Sequence, residues 1–227
     1  MKKDVGILYG VGVGPGDPEL LTLKAVRTLR ECDRLILPAE TREKCRAYQI
    51  AVQAVPELRE KSWNGFHFPM TKNKEEMHRQ LDSIYEALRK MLEDRQKLGF
   101  LTIGDPLVYS TYCYMQDRAQ AEGFPVSVVN GIPSFTACAG RFPMALAEAQ
   151  EEIHIFPGPS RVEEALRLPG TRVFMKSGKA LGELLQVLKK TDRQIFAVSD
   201  CGLPTEQIFY SAAEIPEDIY MLTVIVK

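Results

Sequence analysis

Three short loops of this 227-residue chain hold the residues best suited to chemistry, and small side chains make them so. The first, Gly10-Val11-Gly12-Val13-Gly14-Pro15-Gly16-Asp17-Pro18-Glu19-Leu20-Leu21-Thr22, ends an apolar run and opens a helical pattern. Glycine permits positive φ and close approach of a ligand to main chain, Asp17 suits a helix cap, and Pro18 suits a first helical turn. The loop matches a dinucleotide fingerprint only loosely. Pro15 and Pro18 break the G-x-G-x-x-G register, Pro15 removes a backbone donor, and no Gly-Lys-Ser/Thr follows, so it is not a Walker loop. A purely structural tight turn is the alternative. The second loop, Gly104-Asp105-Pro106-Leu107-Val108-Tyr109-Ser110, closes the apolar run Phe100-Leu101-Thr102-Ile103. Gly104 would let a ligand lie on the backbone, and Asp105 would either accept hydrogen bonds from it or cap the next helix. The third is Asn130-Gly131-Ile132-Pro133-Ser134.

Other chemistries lack their residues. His67, His78 and His154 are scattered, and the five cysteines form no CxxC pair, so they read as reduced thiols rather than metal ligands or a disulfide framework. No Ser/His/Asp or Cys/His arrangement is evident for covalent catalysis. What such loops do well is hold two reactants in register.

Positioning them falls to alternating elements. Strands read at 5–13, 34–37, 62–68, 100–103 and 126–129 alternate with helices at 19–30, 45–55, 74–94 and 110–122, the α/β pattern of parallel strands joined by crossovers. Met77, Leu81, Ile84, Tyr85, Leu88 and Leu92 form a core-facing stripe on the third helix. Beyond Pro125 the elements shorten, with strands at 153–156, 172–175, 195–198, 207–210 and 220–226 and helices at 134–142, 161–168 and 179–190. Consecutive strands near the end predict a mixed sheet there. The expected organisation is two α/β domains, 1–123 with a mainly parallel sheet and 124–227 with a mixed one.

Composition sets outer bounds. With 45% hydrophobic and 26% charged residues the chain can bury a sizeable core, and a net charge of −1 provides no global field for nucleic acid. No apolar run reaches the roughly 20 residues of a membrane span, and no signal-like segment opens the chain, so a cytoplasmic location is expected.

In these three motifs, taken in order, the chain resembles the tetrapyrrole methylase family. Gly12 to Thr22 matches its GxGPGDxxLLT opening, Gly104-Asp105-Pro106 its GDP loop, and Asn130 to Ser134 its PGIxS-like turn. The resemblance extends through Val173-Phe174-Met175-Lys176 and Ser199-Asp200-Cys201-Gly202. Within the family, Gly104 to Tyr112 and Phe174-Met175-Lys176 are most similar to the C20-methyltransferases of precorrin-2 or cobalt-factor II.

The resemblance implies two domains with S-adenosyl-L-methionine in the cleft between them, a tetrapyrrole substrate and a homodimer, while charge, residue scatter and hydropathy lead us to expect no metal, nucleic acid or membrane partner. It assigns to the cofactor Gly104, Asp105, Val108, Pro133, Ser134, Met175, Lys176, Cys201 and Gly202. Pro15 would touch the cofactor and face the substrate side. Substrate carboxylates would meet Arg42, Lys44 and Arg46, with Lys72 and Lys176 as further candidates, the alternative for each being a solvated surface charge. Tyr109, Tyr112 and Tyr114 would contact the macrocycle or alternate between core and surface of their helix, with Tyr109 nearest the loop. Two departures stand out. Leu35-Ile36-Leu37-Pro38-Ala39-Glu40 lacks the Tyr-Asp-Arg-like setting of uroporphyrinogen methylases, and Asn130 replaces the usual proline of the PGI turn. Three rivals remain open: a family methylase of other regiochemistry or acting on protein or RNA, a nucleotide-dependent oxidoreductase using Glu40, and a non-catalytic corrinoid-binding module.

Overall fold

Near-continuous apolar runs need cover on both faces, and the strands of the first half receive it. In the computed structural model, which describes residues 5–69, 73–158, 161–176, 180–220 and 222–227, five of them form an all-parallel sheet. These are β1 (Ile7–Gly12), β2 (Arg34–Leu37), β3 (Ser62–Gly65), β4 (Lys97–Thr102) and β5 (Val126–Val129), in the order β3-β2-β4-β1-β5. Helices α3 (Lys74–Glu93) and α4 (Tyr112–Ala121) cover one face, packing Leu81, Ile84, Leu88, Leu92 and Met115 with Leu8, Ile36, Leu98 and Phe100. Helix α1 (Leu23–Glu31) lies on the other, because a Cβ on Gly99, between Leu98 and Phe100, would sit 3.7 Å from Leu29. Helix α2 (Arg46–Ala54) follows β2.

Strand order marks a place for a ligand. From β1 the chain crosses over β4 to reach β2; from β4 it crosses over β1 to reach β5. The two crossovers leave neighbouring strands in opposite directions, so the carboxyl ends of β1 and β4 form a topological switch point, where open parallel sheets hold ligands.

The helix expected from residue 19 is divided. Asp17 caps a 3-10 turn, Pro18–Leu20, by accepting from Glu19 N at 2.8 Å. Leu21 and Thr22 are then extended, and Thr22 Oγ1 caps α1 by accepting from Ala25 N at 3.1 Å.

The later strands form a mixed sheet, β6 (Ile153–Phe156), β7 (Thr171–Met175), β8 (Ile195–Ser199), β9 (Gln207–Phe209) and β10 (Leu222–Val226), ordered β6-β7-β10-β8-β9. Only β6 and β7 run parallel. Helices α5 (Ser134–Ala139), α6 (Val162–Leu166) and α7 (Leu181–Leu188) accompany it, and Leu181, Leu184, Leu185 and Leu188 bury against Phe174, Ala197 and Val224.

The chain divides into two units, Met1–Ile132 and Pro133–Lys227. The boundary expected near 123 falls before β5, which pairs with β1 and so stays with the first sheet. No helix among the described residues is long and apolar enough to cross a membrane.

Candidate active site

At the carboxyl edge of the first sheet the three loops touch. Val13 N donates to Thr102 O at 2.9 Å and Gly104 N to Gly14 O at 2.8 Å, which draws the first two loops side by side. Gly14 and Gly104 each adopt a φ of 73°, conformations open to glycine at little cost. A Cβ on Gly12 would stand 2.5 Å from Gly104 O and 2.6 Å from Gly131 N, and one on Gly131 would overlap Gly104 O. One glycine from each motif is thus required for main chain to meet main chain.

Asp105 joins the same junction. It is 7% exposed, its Oδ1 accepts from Leu107 N at 2.8 Å, and its Oδ2 accepts from Asn130 Nδ2 and Gly131 N, both at 3.1 Å. Thr22 Oγ1 closes the circuit by donating to Asn130 O at 3.4 Å. The carboxylate therefore braces two loops. It does not cap α4, where Ser110 Oγ accepts from Tyr112 N at 3.1 Å instead.

Beyond the brace the loop turns outward. Leu107 and Tyr109 are exposed, Val108 is half-buried, and Pro15 of the first loop is buried. Tyr109 holds a φ of 50°, a left-handed conformation that costs a non-glycine residue about 1 kcal/mol or more. Such strain at a loop tip gathers at functional sites more than elsewhere.

Two substrate assignments need correction. Tyr112 has no exposed surface: its ring fills the space left by the missing side chain of Gly10, it packs on Phe100 at 5.8 Å, and its hydroxyl donates to Ser127 O at 3.3 Å. It is a core residue, and burial raises its phenol pKa. Arg42 is turned inward, its guanidinium 5.2 Å from the Tyr48 ring and 5.3 Å from the Trp63 ring. Nη1 and Nη2 donate to the carbonyls of Arg59 and Lys61 at 2.9 and 2.7 Å, so Arg42 fixes the approach to β3.

The remaining cations and tyrosines are more open. Lys44 makes an exposed ion pair with Glu40 at 2.7 Å, and its hydrogen bond lowers the Glu40 pKa. The acidic residue required by the oxidoreductase reading is thereby engaged. Arg46 lies exposed at the start of α2 and Tyr114 exposed on α4, while Lys72 lies outside the described residues.

The second unit gathers its own set. Strands β7 and β8 both run antiparallel to β10, so their carboxyl ends share one edge, where Thr223 stands in register with Met175 on one side and Val198 on the other. Ser134 Oγ lies 3.3 Å from Thr223 Oγ1, and Pro133 precedes it at the head of α5. Lys176 and Asp200, which follow β7 and β8, adopt φ values of 55° and 46°. Lys176 is exposed, and partial desolvation lowers its pKa. Gly202 N donates to Glu206 Oε2 at 2.5 Å, and Arg141 Nε donates to the same oxygen at 3.0 Å. Cys138 and Cys201 are both buried, and interaction with the Cys201 thiol together with burial holds the Cys138 pKa up. Ser134, Met175, Lys176, Cys201 and Gly202 thus share one sheet edge.

Sequence reasoning missed Thr223, Cys138 and Glu206. A signal existed for the first: Thr223 is the polar member of the otherwise apolar strand Leu222-Thr223-Val224-Ile225-Val226, where a hydroxyl needs a partner.

A family model described as Tetrapyrrole (Corrin/Porphyrin) Methylases matches residues 7–216. The chain is 36% identical over 199 residues, 87% of its length and 84% of the relative's, to a Methanocaldococcus jannaschii protein named "Probable cobalt-precorrin-2 C(20)-methyltransferase". To the precorrin-2 C(20)-methyltransferase of Sinorhizobium sp. it is 31% identical over 201 residues, covering 83% of this chain and 80% of that one. In fold it is similar to uroporphyrin-III C-methyl transferase from Thermus thermophilus complexed with S-adenyl homocysteine, with a TM-score of 0.64, 24% identity and 97% of both chains covered.

Proposed function

Because the chain belongs to the tetrapyrrole (corrin/porphyrin) methylases, we propose that it transfers a methyl group from S-adenosyl-L-methionine to C20 of precorrin-2 or its cobalt form in cobalamin biosynthesis. One observation carries this reading: the family match spans all three loops, and relatives named for C20 methylation align along most of the chain. The fold neighbour named with S-adenyl homocysteine supports the choice of donor.

The donor supplies an electrophilic methyl: a carbon–carbon bond forms as the carbon–sulfur bond breaks, sulfur keeps the electron pair, and the ring carbon later gives up a proton. An electron-rich macrocycle needs no protein nucleophile, so the protein's task is placement. In the first unit Gly104 and Val108 are assigned to the donor; in the second, taken by itself, the family resemblance assigns Pro133, Ser134, Met175, Lys176, Cys201 and Gly202. Asp105 serves it as the brace of the Gly104 loop. Main chain in left-handed turns suits contact with such a ligand, since it brings N–H and C=O groups to the surface without intervening side chains.

Exposed Tyr109, with Leu107 beside it, suits the flat apolar macrocycle, and Pro15 belongs to the same side. Lys44 and Arg46 are the cations of the β2–α2 segment assigned to substrate carboxylates. The reading further carries the typical family homodimer and a cytoplasmic location; sedimentation velocity tests the former.

The test is incubation of the purified enzyme with S-adenosyl-L-methionine and precorrin-2, with and without cobalt, followed by mass and carbon NMR spectra. A gain of one methyl at C20 is expected on at least one form. No gain on either form overturns the proposal, and a methyl at another ring position makes the protein a methylase of different regiochemistry.

A further inference from the structure

We propose that Asn130 is a positioning residue for methyl transfer, setting the height of the Gly104-Asp105-Pro106 loop over the sheet edge through the Asp105 carboxylate. The inference rests on the donor site proposed above.

Asn130 follows β5, yet it reaches both other motifs. Its Nδ2 donates to Asp105 Oδ2 at 3.1 Å, its carbonyl accepts from Thr22 Oγ1 at 3.4 Å, and its neighbour Gly131 donates N–H to the same Asp105 oxygen at 3.1 Å. Of the three N–H groups that the described residues direct at this carboxylate, two therefore come from the β5 turn and one, Leu107 N, from the loop itself. Asp105 is buried, so it cannot swing toward a ligand without stranding those donors. Its effect on a bound donor must pass through the main chain it holds: Gly104 precedes it, and Val108 N donates to its carbonyl at 3.1 Å. The β5 turn is therefore the fixed point from which the residues assigned to the donor are placed.

Asn130 is itself exposed, so replacing it leaves the core intact. Asn130→Ala removes one donor and leaves two, which loosens the loop without emptying the junction. Asn130→Asp keeps the shape but sets a carboxylate against Asp105, so it should disturb the loop more. The two variants therefore separate positioning from space-filling, since a residue that only fills space would tolerate the isosteric Asp better than Ala.

The experiment measures S-adenosylhomocysteine affinity by calorimetry at pH 8 and methyl transfer kinetics, with thermal unfolding as the control for folding. Asn130→Ala should lower affinity and kcat/KM by about 10-fold, the scale of one hydrogen bond to a charged group, and Asn130→Asp by more, both variants staying folded at the assay temperature with unfolding temperatures lowered by several degrees. Wild-type protein that binds no S-adenosylhomocysteine would refute the donor site and this inference with it. Wild-type binding with unchanged variants, or a milder effect for Asp than for Ala, would leave the donor site standing and overturn the role of Asn130.

Discussion

Gly-Asp-Pro occurs twice in this chain, each time just beyond the carboxyl end of a strand, as Gly16-Asp17-Pro18 after β1 and Gly104-Asp105-Pro106 after β4. Locally the two are alike: Asp17 accepts from Glu19 N and Asp105 from Leu107 N, each at 2.8 Å, the turn that a short acidic side chain makes with main chain two residues on. Their surroundings differ. Asp17 is partly exposed and caps a three-residue turn, whereas Asp105 is buried and collects two more N–H groups from the β5 turn. Four residues past each aspartate the contrast repeats, with Leu21 extended and nearly buried but Tyr109 left-handed and exposed. Sheet order explains this. The chain leaving β4 passes over β1 toward β5, so its aspartate meets the β5 turn, while the chain leaving β1 heads away toward β2. Tripeptide identity fixes the turn, and the direction of the crossover fixes what the turn can hold.

The sharpest way to break this comparison is to truncate both aspartates. Asp105→Ala removes the acceptor of three N–H groups in a buried setting and should cost about 3–5 kcal/mol of stability, read from denaturant midpoints at unchanged slope. Asp105→Asn keeps one acceptor oxygen but aims an amide at Asn130 and Gly131, so a loss of about 2 kcal/mol is expected. Should Asp105→Ala cost no more than the equivalent change at Asp17, the brace contributes nothing.

A smaller effect, with stability and function separated, is expected at Tyr109. Tyr109→Gly relieves the left-handed conformation, and this relief offsets the lost contacts and the added chain entropy, so stability should change by less than about 0.5 kcal/mol. Binding of the macrocycle loses its aromatic surface, and KM for the tetrapyrrole should rise about 10-fold, equivalent to about 1.4 kcal/mol, within the range of a single aromatic contact. An unchanged KM would remove Tyr109 from the substrate side.

Much of the fold was legible because strand and helix periods differ, so the order of elements and the parallel-to-mixed change of sheet follow from pattern alone. The motifs were legible too, since clustered glycine, aspartate and proline restrict the backbone in few ways. What stayed hidden depends on partners distant in sequence. Arg42 reads as a free cation until Trp63 of β3 and Tyr48 of α2 are seen beside its guanidinium. Tyr112 reads as a candidate contact for the macrocycle until Gly10, on a strand about a hundred residues earlier, is found to leave room for its ring. The true donors to Asp105 depend on strand order, which elements read one at a time do not specify.

Asp17→Ala provides the smallest and most discriminating measurement. The side chain accepts from Glu19 N in a 3-10 turn that lies outside α1, whose own cap is Thr22. Partial exposure lets water replace that bond, so the loss should be about 0.5 kcal/mol, the low end for removal of a capping oxygen. Methyl transfer should change less than twofold, because the Gly12–Gly104–Gly131 junction and the Thr22–Asn130 contact do not involve this carboxylate. A loss of activity at Asp17 of about 10-fold or more, without loss of stability, would mean that the first triplet also acts on the site, and crossover direction would no longer explain the difference between them.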